Sequence, residues 1–262
     1  MRDATAAGLR ASGLGGTAER LCHHYRWAMP GRQRIPRPPA YRPGGPPPWA
    51  PLAAGSKSRI GVDDVRAAMA TMGPAKPWPP AVPAGQLPFE GRPAAVLVPV
   101  FEEDGQARVI LTRRSDKLRS HTGEVSFPGG RLDPEESPLA AALREAGEEI
   151  GLDPGDVEIL GQLEPLATLS SRSGITPFVG VLPSRPVLRP NPHEVEHAFD
   201  VALVELLDEA VYREERWDTP WGDDRPVHFF DLPDDVVWGA TARILHQLLE
   251  LIARNVLSGR TG

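Results

Sequence analysis

The sequence has 262 residues, 40% of them hydrophobic, which is enough for one sizeable core or one core plus a tail. Its net charge of −6 is uneven, since the first 58 residues carry nine Lys and Arg against two Asp and Glu and leave the rest strongly acidic. An acidic body disfavours nucleic-acid binding and suits divalent cations. Apolar runs far shorter than the roughly 20 residues that span a bilayer argue against a membrane partner. With Cys22 as its single cysteine, the chain is expected to be soluble and cytoplasmic.

The N-terminal region, residues 1–58, shows no sustained apolar periodicity, and residues 30–51 contain nine prolines. This composition is typical of a disordered tail rich in Pro and Arg. Two alternatives stay open, an organellar presequence and a basic segment that contacts an anionic partner. A third is a downstream start, for example at Met29. We expect deletion of residues 1–58 to leave catalysis largely intact.

Residues 59–89 are predicted to form a short helix and a linker. The helix is indicated at residues 62–72 by apolar side chains that recur at helical spacing: Val65, Ala68, Met69 and Met72. Pro74 ends it. The catalytic domain is predicted to cover residues 90–257.

That domain opens with an apolar run at residues 93–101, which indicates a buried strand, followed by a turn signal at Asp104-Gly105 and a partner strand at residues 107–113. Further strand-like segments lie at residues 157–170, 176–182 and 227–230, and residues 199–207 are predicted to pass from a strand into a short helix. An amphipathic helix at residues 240–257 closes the chain. Strands on either side of helices predict a layered α/β domain.

A helix after residue 137 is delimited by its own sequence. Ser137 is a good N-cap, Pro138 suits the first helical position, and Gly151 is a good C-terminal stop. An apolar stripe is predicted to pack on the sheet: Leu139, Leu143, Ala146 and Ile150. Helical geometry then places a set of carboxylates on the opposite side, within an arc of roughly 100°. This set is Glu145, Glu148 and Glu149.

A solvated acidic face is the alternative interpretation of these carboxylates. The preceding Pro128-Gly129-Gly130 loop, the two capping signals and the adjacent Arg144 favour a metal site instead. Oxygen donors on a rigid helix suit Mg²⁺ or Mn²⁺, whereas Zn²⁺ is disfavoured because a His and Cys set is lacking.

The segment at residues 130–152 resembles the Nudix box, Gly-x5-Glu-x7-Arg-Glu-U-x-Glu-Glu-x-Gly-U with U apolar, at every fixed position. The resemblance implies the Nudix fold, an α/β/α sandwich with a mixed sheet, and hydrolysis of a diphosphate bond. It implies that Glu145, Glu148 and Glu149 bind the metal, completed by the carbonyl of Gly130 or Gly129. On the same resemblance Arg144 orients a glutamate and Glu136 is structural.

Residues 111–130 resemble the additional signature of the coenzyme A diphosphatase branch of that family, and residues 171–180 and 237–245 are similar to the same branch. The resemblance implies cleavage of coenzyme A or its acyl derivatives to 3′,5′-ADP and 4′-phosphopantetheine, acylated when the substrate is. A substrate with this many phosphates needs cationic partners. The candidate substrate-binding residues are Arg113, Arg114, Arg119, His121 and Ser126, with Lys117 beside them.

Several alternatives remain open. The substrate class could instead be ADP-ribose, NADH or another nucleoside diphosphate derivative, and a silent Nudix domain would be a ligand sensor. The candidates for the general base are Glu145, Glu194 and Glu196. His193 and His197 are interpreted as loop or structural residues. A homodimer is compatible with the resemblance.

Overall fold

The structure, a computed structural model, describes residues 33, 35–52, 59–73, 92–115, 123–168, 173–219 and 222–259. Its strands are β1 (Tyr41–Pro43), β2 (Arg92–Glu103), β3 (Gln106–Arg114), β4 (Val125–Ser126), β5 (Gly129–Arg131), β6 (Glu158–Gln162), β7 (Leu166–Ala167), β8 (Ser173–Val181), β9 (Val195–Ala202), β10 (Tyr212–Thr219), β11 (Gly222–Asp231) and β12 (Val236–Trp238). Its helices are α1 (Val62–Ala70), α2 (Pro138–Ile150), α3 (Leu203–Leu206) and α4 (Gly239–Ser258). No helix within these ranges is long and apolar enough to span a membrane.

Strands β2 and β3 form the predicted hairpin. Asp104 and Gly105 connect them with positive φ angles of 53° and 72°, a backbone twist that matches the twist of the flanking strands. Side chains alternate along β2, so that Val98 and Val100 enter one apolar cluster and Leu97 and Phe101 enter the other. The hairpin is therefore buried on both faces.

The main sheet has eight strands, with the order β4-β3-β2-β8-β6. Strand β5 also pairs with β2, β7 with β8, and β9 with β3. The β2–β8 pair is parallel and the other pairs are antiparallel, so the sheet is mixed, as predicted.

Helices cover both faces of this sheet. Helix α2 packs in the cluster on one face, and α1 and α4 pack in the cluster on the other. A second sheet of four strands, in the order β1-β10-β11-β12, contributes Tyr212, Phe230 and Val237 to the cluster around α4. The predicted α/β/α architecture is confirmed.

Residues 35–52, within the predicted tail, pack against the rest of the protein. Strand β1 pairs with β10, and the Trp49 side chain is fully buried, with its ring stacked 6.3 Å from that of Phe230. One large aromatic side chain in a proline-rich stretch supplies buried area without any periodicity to detect. Residues 1–32 and 53–58 lie outside the described ranges.

Residues before the predicted start of the domain near residue 90 also enter the core. Helix α1 is present as predicted, but Ile60 and Val65 are buried in the same cluster as α4. Apolar residues on both sides of the predicted linker therefore enter one core; residues 74–91, which include the rest of that linker, are not described.

Candidate metal site

Helix α2 is held at both ends by the predicted caps. The Ser137 hydroxyl accepts a hydrogen bond from the Ala140 N–H at 3.2 Å. At the other end Gly151 has a φ of 74°, and its N–H donates to the Gly147 carbonyl at 3.0 Å. These caps fix where the helix starts and stops relative to the loop before it.

The buried face of α2 is rotated relative to the prediction. Its buried apolar residues are Ala141, Ala142, Ala146 and Ile150, whereas Leu143 is only partly buried and Leu139 lies outside that cluster. Small alanines let the helix approach the sheet closely. As a result Glu149, predicted on the charged side, is 2% exposed.

Three carboxylates converge beside this helix. Among the described residues, Glu145, Glu149 and Glu194 each offer an oxygen atom, and these oxygens lie within 4.8 Å of one another. Glu148 is outside this group, with a side chain 57% exposed. The predicted convergence thus holds for two of the three box glutamates, and Glu194 takes the third place.

Glu194 reaches the group through a turn fixed to the end of α2. The Asn191 N–H donates to the Glu149 carbonyl at 2.8 Å, and the Glu194 N–H donates to the Asn191 carbonyl at 3.0 Å. The Asn191 side chain accepts from the His193 N–H at 3.1 Å, which closes the turn. The sequence indicates Glu194 only as a candidate base, because nothing local signals this long-range docking.

The glycines before the helix make room for these carboxylates. A β-carbon on Gly130 would lie 2.3 Å from Glu145 Oε1, so the absent side chain is the space that this carboxylate fills. The Gly129 N–H donates to Glu149 Oε2 at 3.1 Å. The donor set consists of oxygen atoms on rigid supports, which fits Mg²⁺ or Mn²⁺.

Arg144 fixes the exposed side of the cluster. Its guanidinium donates two hydrogen bonds to Glu136, at 2.9 and 3.0 Å, and one each to Glu145 at 3.0 Å and Glu148 at 3.1 Å. The bond from Arg144 lowers the pKa of Glu136. The Arg144 guanidinium thus joins Glu136 to Glu145 and Glu148.

Burial opposes charge on the innermost carboxylates. It raises the pKa of Glu149 to about 7, against the lowering effects of the Gly129 hydrogen bond and the Arg114 charge. Burial also raises the pKa of Glu145, although its contact with Arg144 opposes this. A bound cation would instead favour the charged forms of these carboxylates, so cation binding should release protons.

Two neighbouring arginines of β3, Arg113 and Arg114, have different surroundings. Arg114 Nη1 lies 3.7 Å from Glu149 Oε1, at the site. Arg113 is 3% exposed, and its Nη1 donates to Asp235 Oδ1 at 2.8 Å. The geometry therefore gives Arg113 a buried ion pair in place of the predicted substrate contact, because alternate residues of a strand face opposite sides.

Of the remaining predicted substrate residues, the structure describes Ser126. The Ser126 hydroxyl lies 3.1 Å from that of Thr112, on the neighbouring strand. Lys117, Arg119 and His121 lie outside the described residues. Glu196 Oε2 lies 3.1 Å from Arg113 Nε, which leaves it paired away from the carboxylate group.

Comparison with known proteins identifies the class. The family model of the NUDIX domain matches residues 91–223. The chain is 41% identical over 173 residues to the uncharacterized Nudix hydrolase NudL of Photorhabdus laumondii, spanning 65% of this chain and 90% of that relative. It is 43% identical to Nudix hydrolase 22, chloroplastic, of Arabidopsis thaliana, over 60% of this chain and 54% of that relative. Among solved structures, an Ap4A hydrolase binary complex from C. elegans is 23% identical, covers 42% of this chain and 80% of its own, and has a TM-score of 0.38.

The chain belongs to the Nudix family. It is therefore a hydrolase of the kind that acts on phosphorus-containing anhydrides. Members of the family bind small nucleotide derivatives and generally need divalent metal ions.

Proposed function

We propose that this chain is a coenzyme A diphosphatase that uses Mg²⁺ or Mn²⁺. The observation that carries the proposal is the convergence of Glu145, Glu149 and Glu194 next to Arg114. Arg114 lies in residues 111–130, the stretch that resembles the coenzyme A diphosphatase branch, and Glu145 and Glu149 lie in the Nudix box that follows it.

The three converging glutamates and the Gly130 carbonyl would hold the cation. When bound, it would neutralise the diphosphate charge and lower the pKa of the attacking water. Gly129 and Arg144 keep Glu149 and Glu145 in place by direct hydrogen bonds. Arg114 is available to a phosphate oxygen because its distance of 3.7 Å from Glu149 is longer than a hydrogen bond.

Of the three candidates for the proton acceptor, two already have an arginine partner. Glu196 is engaged by Arg113, and Glu145 already accepts a hydrogen bond from Arg144. We therefore assign Glu194 to accept the proton of the attacking water, from its position on the turn facing the other two carboxylates.

The substrate is coenzyme A or an acyl derivative. Its 3′-phosphate adds to the diphosphate charge, and Arg114 of the resembling segment is one guanidinium placed to meet that charge. Water attack on the diphosphate gives 3′,5′-ADP and 4′-phosphopantetheine, with the acyl group retained on the second product. ADP-ribose, NADH and dinucleoside polyphosphates form the competing class.

Product analysis tests the substrate. The protein is incubated with Mg²⁺ and either coenzyme A or ADP-ribose, and products are identified by mass spectrometry. We expect 3′,5′-ADP from coenzyme A at the higher kcat/KM. Preferential release of AMP from ADP-ribose would overturn the coenzyme A assignment and leave the diphosphatase chemistry in place.

A matched pair of substitutions tests the carboxylate assignment. Glu194→Gln removes a member of the converging group, and Glu148→Gln removes an exposed neighbour outside it. We expect Glu194→Gln to lower kcat by about 100-fold or more and to weaken Mn²⁺ binding, since it loses both a donor and the proton acceptor. Glu148→Gln should cost less than tenfold by the same reasoning. Equal losses of kcat and of Mn²⁺ affinity in the two variants would show that Glu148 also binds the metal ion.

A further inference from the structure

A cluster of charged side chains joins β3 to β9 and to the residue just before β12, with the buried pair of Arg113 and Asp235 at its centre. Arg113 of β3 donates to Asp235, at the start of β12, and both side chains are at most 5% exposed. Arg113 Nε also lies 3.1 Å from Glu196 Oε2, and His197 Nε2 lies 4.0 Å from Asp235 Oδ2. None of these groups belongs to the converging carboxylates.

This cluster coincides with an irregularity in the β3–β9 pairing. Arg113 is opposite His197, whereas Arg114 is opposite Val195, so Glu196 is the additional residue of a β-bulge. A bulge shifts which face the following side chains take and redirects the strand. The residue that bulges is also the one whose carboxylate contacts Arg113.

The residues that flank the cluster in sequence are site residues. Arg114 follows Arg113 and approaches Glu149, and Glu194 lies two positions before the bulge. The Ser115 N–H donates to the Glu194 carbonyl at 2.8 Å, which ties the end of β3 to the turn. A displacement at the bulge would therefore move the Glu194 carboxylate.

We propose that Asp235 and Arg113 are positioning residues that fix the β9 bulge and thereby hold Glu194 against Glu145 and Glu149. The proposal rests on the role of Glu194 in the proposed function. A buried ion pair adds little net stability compared with apolar residues of similar volume. The directional hydrogen bond from Arg113 to Asp235 is better suited to fixing one geometry, as groups behind metal ligands generally do.

A second ion pair supplies a matched control. Arg108 and Asp200 also join β3 to β9 through a side-chain hydrogen bond, at the other end of the same strand pair. Asp235→Asn and Asp200→Asn therefore make the same chemical change to the partner of a β3 arginine, near the site and far from it. Folding of each variant is checked by circular dichroism and urea unfolding.

The metal-free protein is titrated with Mn²⁺, and binding is monitored by electron paramagnetic resonance. We expect Asp235→Asn to raise the Kd for Mn²⁺ about tenfold, the usual effect of losing support behind a ligand. Asp200→Asn should stay within about twofold. Should Asp235→Asn fail to fold, Arg113→Lys replaces it, since it keeps the charge and loses the paired geometry. An Mn²⁺ affinity unchanged in Asp235→Asn, or in Arg113→Lys used in its place, would overturn the proposal.

A double variant that combines Asp235→Asn with Glu194→Gln tests whether Asp235 affects Mn²⁺ binding through Glu194. If Asp235 acts through Glu194, then adding Asp235→Asn to Glu194→Gln should not weaken Mn²⁺ binding further. A full additional tenfold loss would overturn the positioning role. An unchanged Kd in Glu194→Gln alone would instead refute the metal role of Glu194 in the proposed function, and this outcome is separate from the behaviour of Asp235→Asn.

Discussion

Glu149 shows how a carboxylate proposed to bind a metal ion can work against folding. Its side chain is 2% exposed, and burial raises its pKa to about 7 from the 4.5 of an exposed glutamate. The folded state therefore binds a proton more tightly than the unfolded state does. The stability that this provides is complete below about pH 4.5 and is lost as the pH rises through about 7.

Replacement of Glu149 by Gln should therefore stabilise the metal-free protein at alkaline pH. The amide keeps the shape and can still accept from the Gly129 N–H, but it has no charge to bury. We expect a gain of about 2 kcal/mol in the free energy of unfolding at pH 8, which shrinks toward zero near pH 4.5. The measurement is urea unfolding in EDTA across that pH range.

The exposed Glu148 provides the control for this pH dependence. Glu148→Gln should change the unfolding free energy by less than about 0.5 kcal/mol at every pH, since its carboxylate is solvated. Added Mg²⁺ should stabilise the wild type and have little effect on Glu149→Gln. A Glu149→Gln protein that is less stable than the wild type at pH 8 in EDTA would show that the Arg114 contact outweighs burial.

At the scale of single elements, local sequence signals predict where helix α2 begins and ends, but they do not predict which face of the helix packs on the sheet. The caps at Ser137 and Gly151 predicted both ends of α2, because capping depends on neighbours in sequence. The packed face depends on the sheet that the helix meets. That sheet selected Ala141 and Ala142 over Leu139 and buried Glu149.

Local sequence patterns also do not predict which side chains the site residues contact. Arg113 and Arg114 have similar chemistry and adjacent positions, yet β3 sends one to Asp235 and the other toward Glu149. Glu194 joins Glu145 only because a turn is bonded to the end of α2 and β9 carries a bulge. Such register and docking features are set by tertiary pairing, so the sequence indicated the family's box but not the third carboxylate.

At the scale of the whole molecule, the N-terminal segment completes the second sheet. Strand β1 forms the edge of that sheet, and Trp49 packs edge-on to Tyr212 at 4.9 Å and near His246 of α4 at 5.6 Å. This cluster is on the face of the main sheet opposite α2. The segment should therefore contribute to stability without touching the carboxylate group, and deletion of residues 1–58 should lower the free energy of unfolding while the kcat of the folded protein stays largely intact.

Trp49→Ala tests this division between stability and catalysis. Truncation of a fully buried Trp should cost about 3–5 kcal/mol in the free energy of unfolding, because it leaves a cavity between the second sheet and α4. Tyr41→Ala, on the same segment but 45% exposed, should cost less than about 1 kcal/mol. Urea unfolding measures both, and kcat of the folded fraction should stay within about threefold of the wild type, since α2 packs on the other face. Equal stability of the two variants would show that residues 35–52 are not part of the core in solution, and a large loss of kcat in Trp49→Ala would show that the two faces of the sheet are coupled.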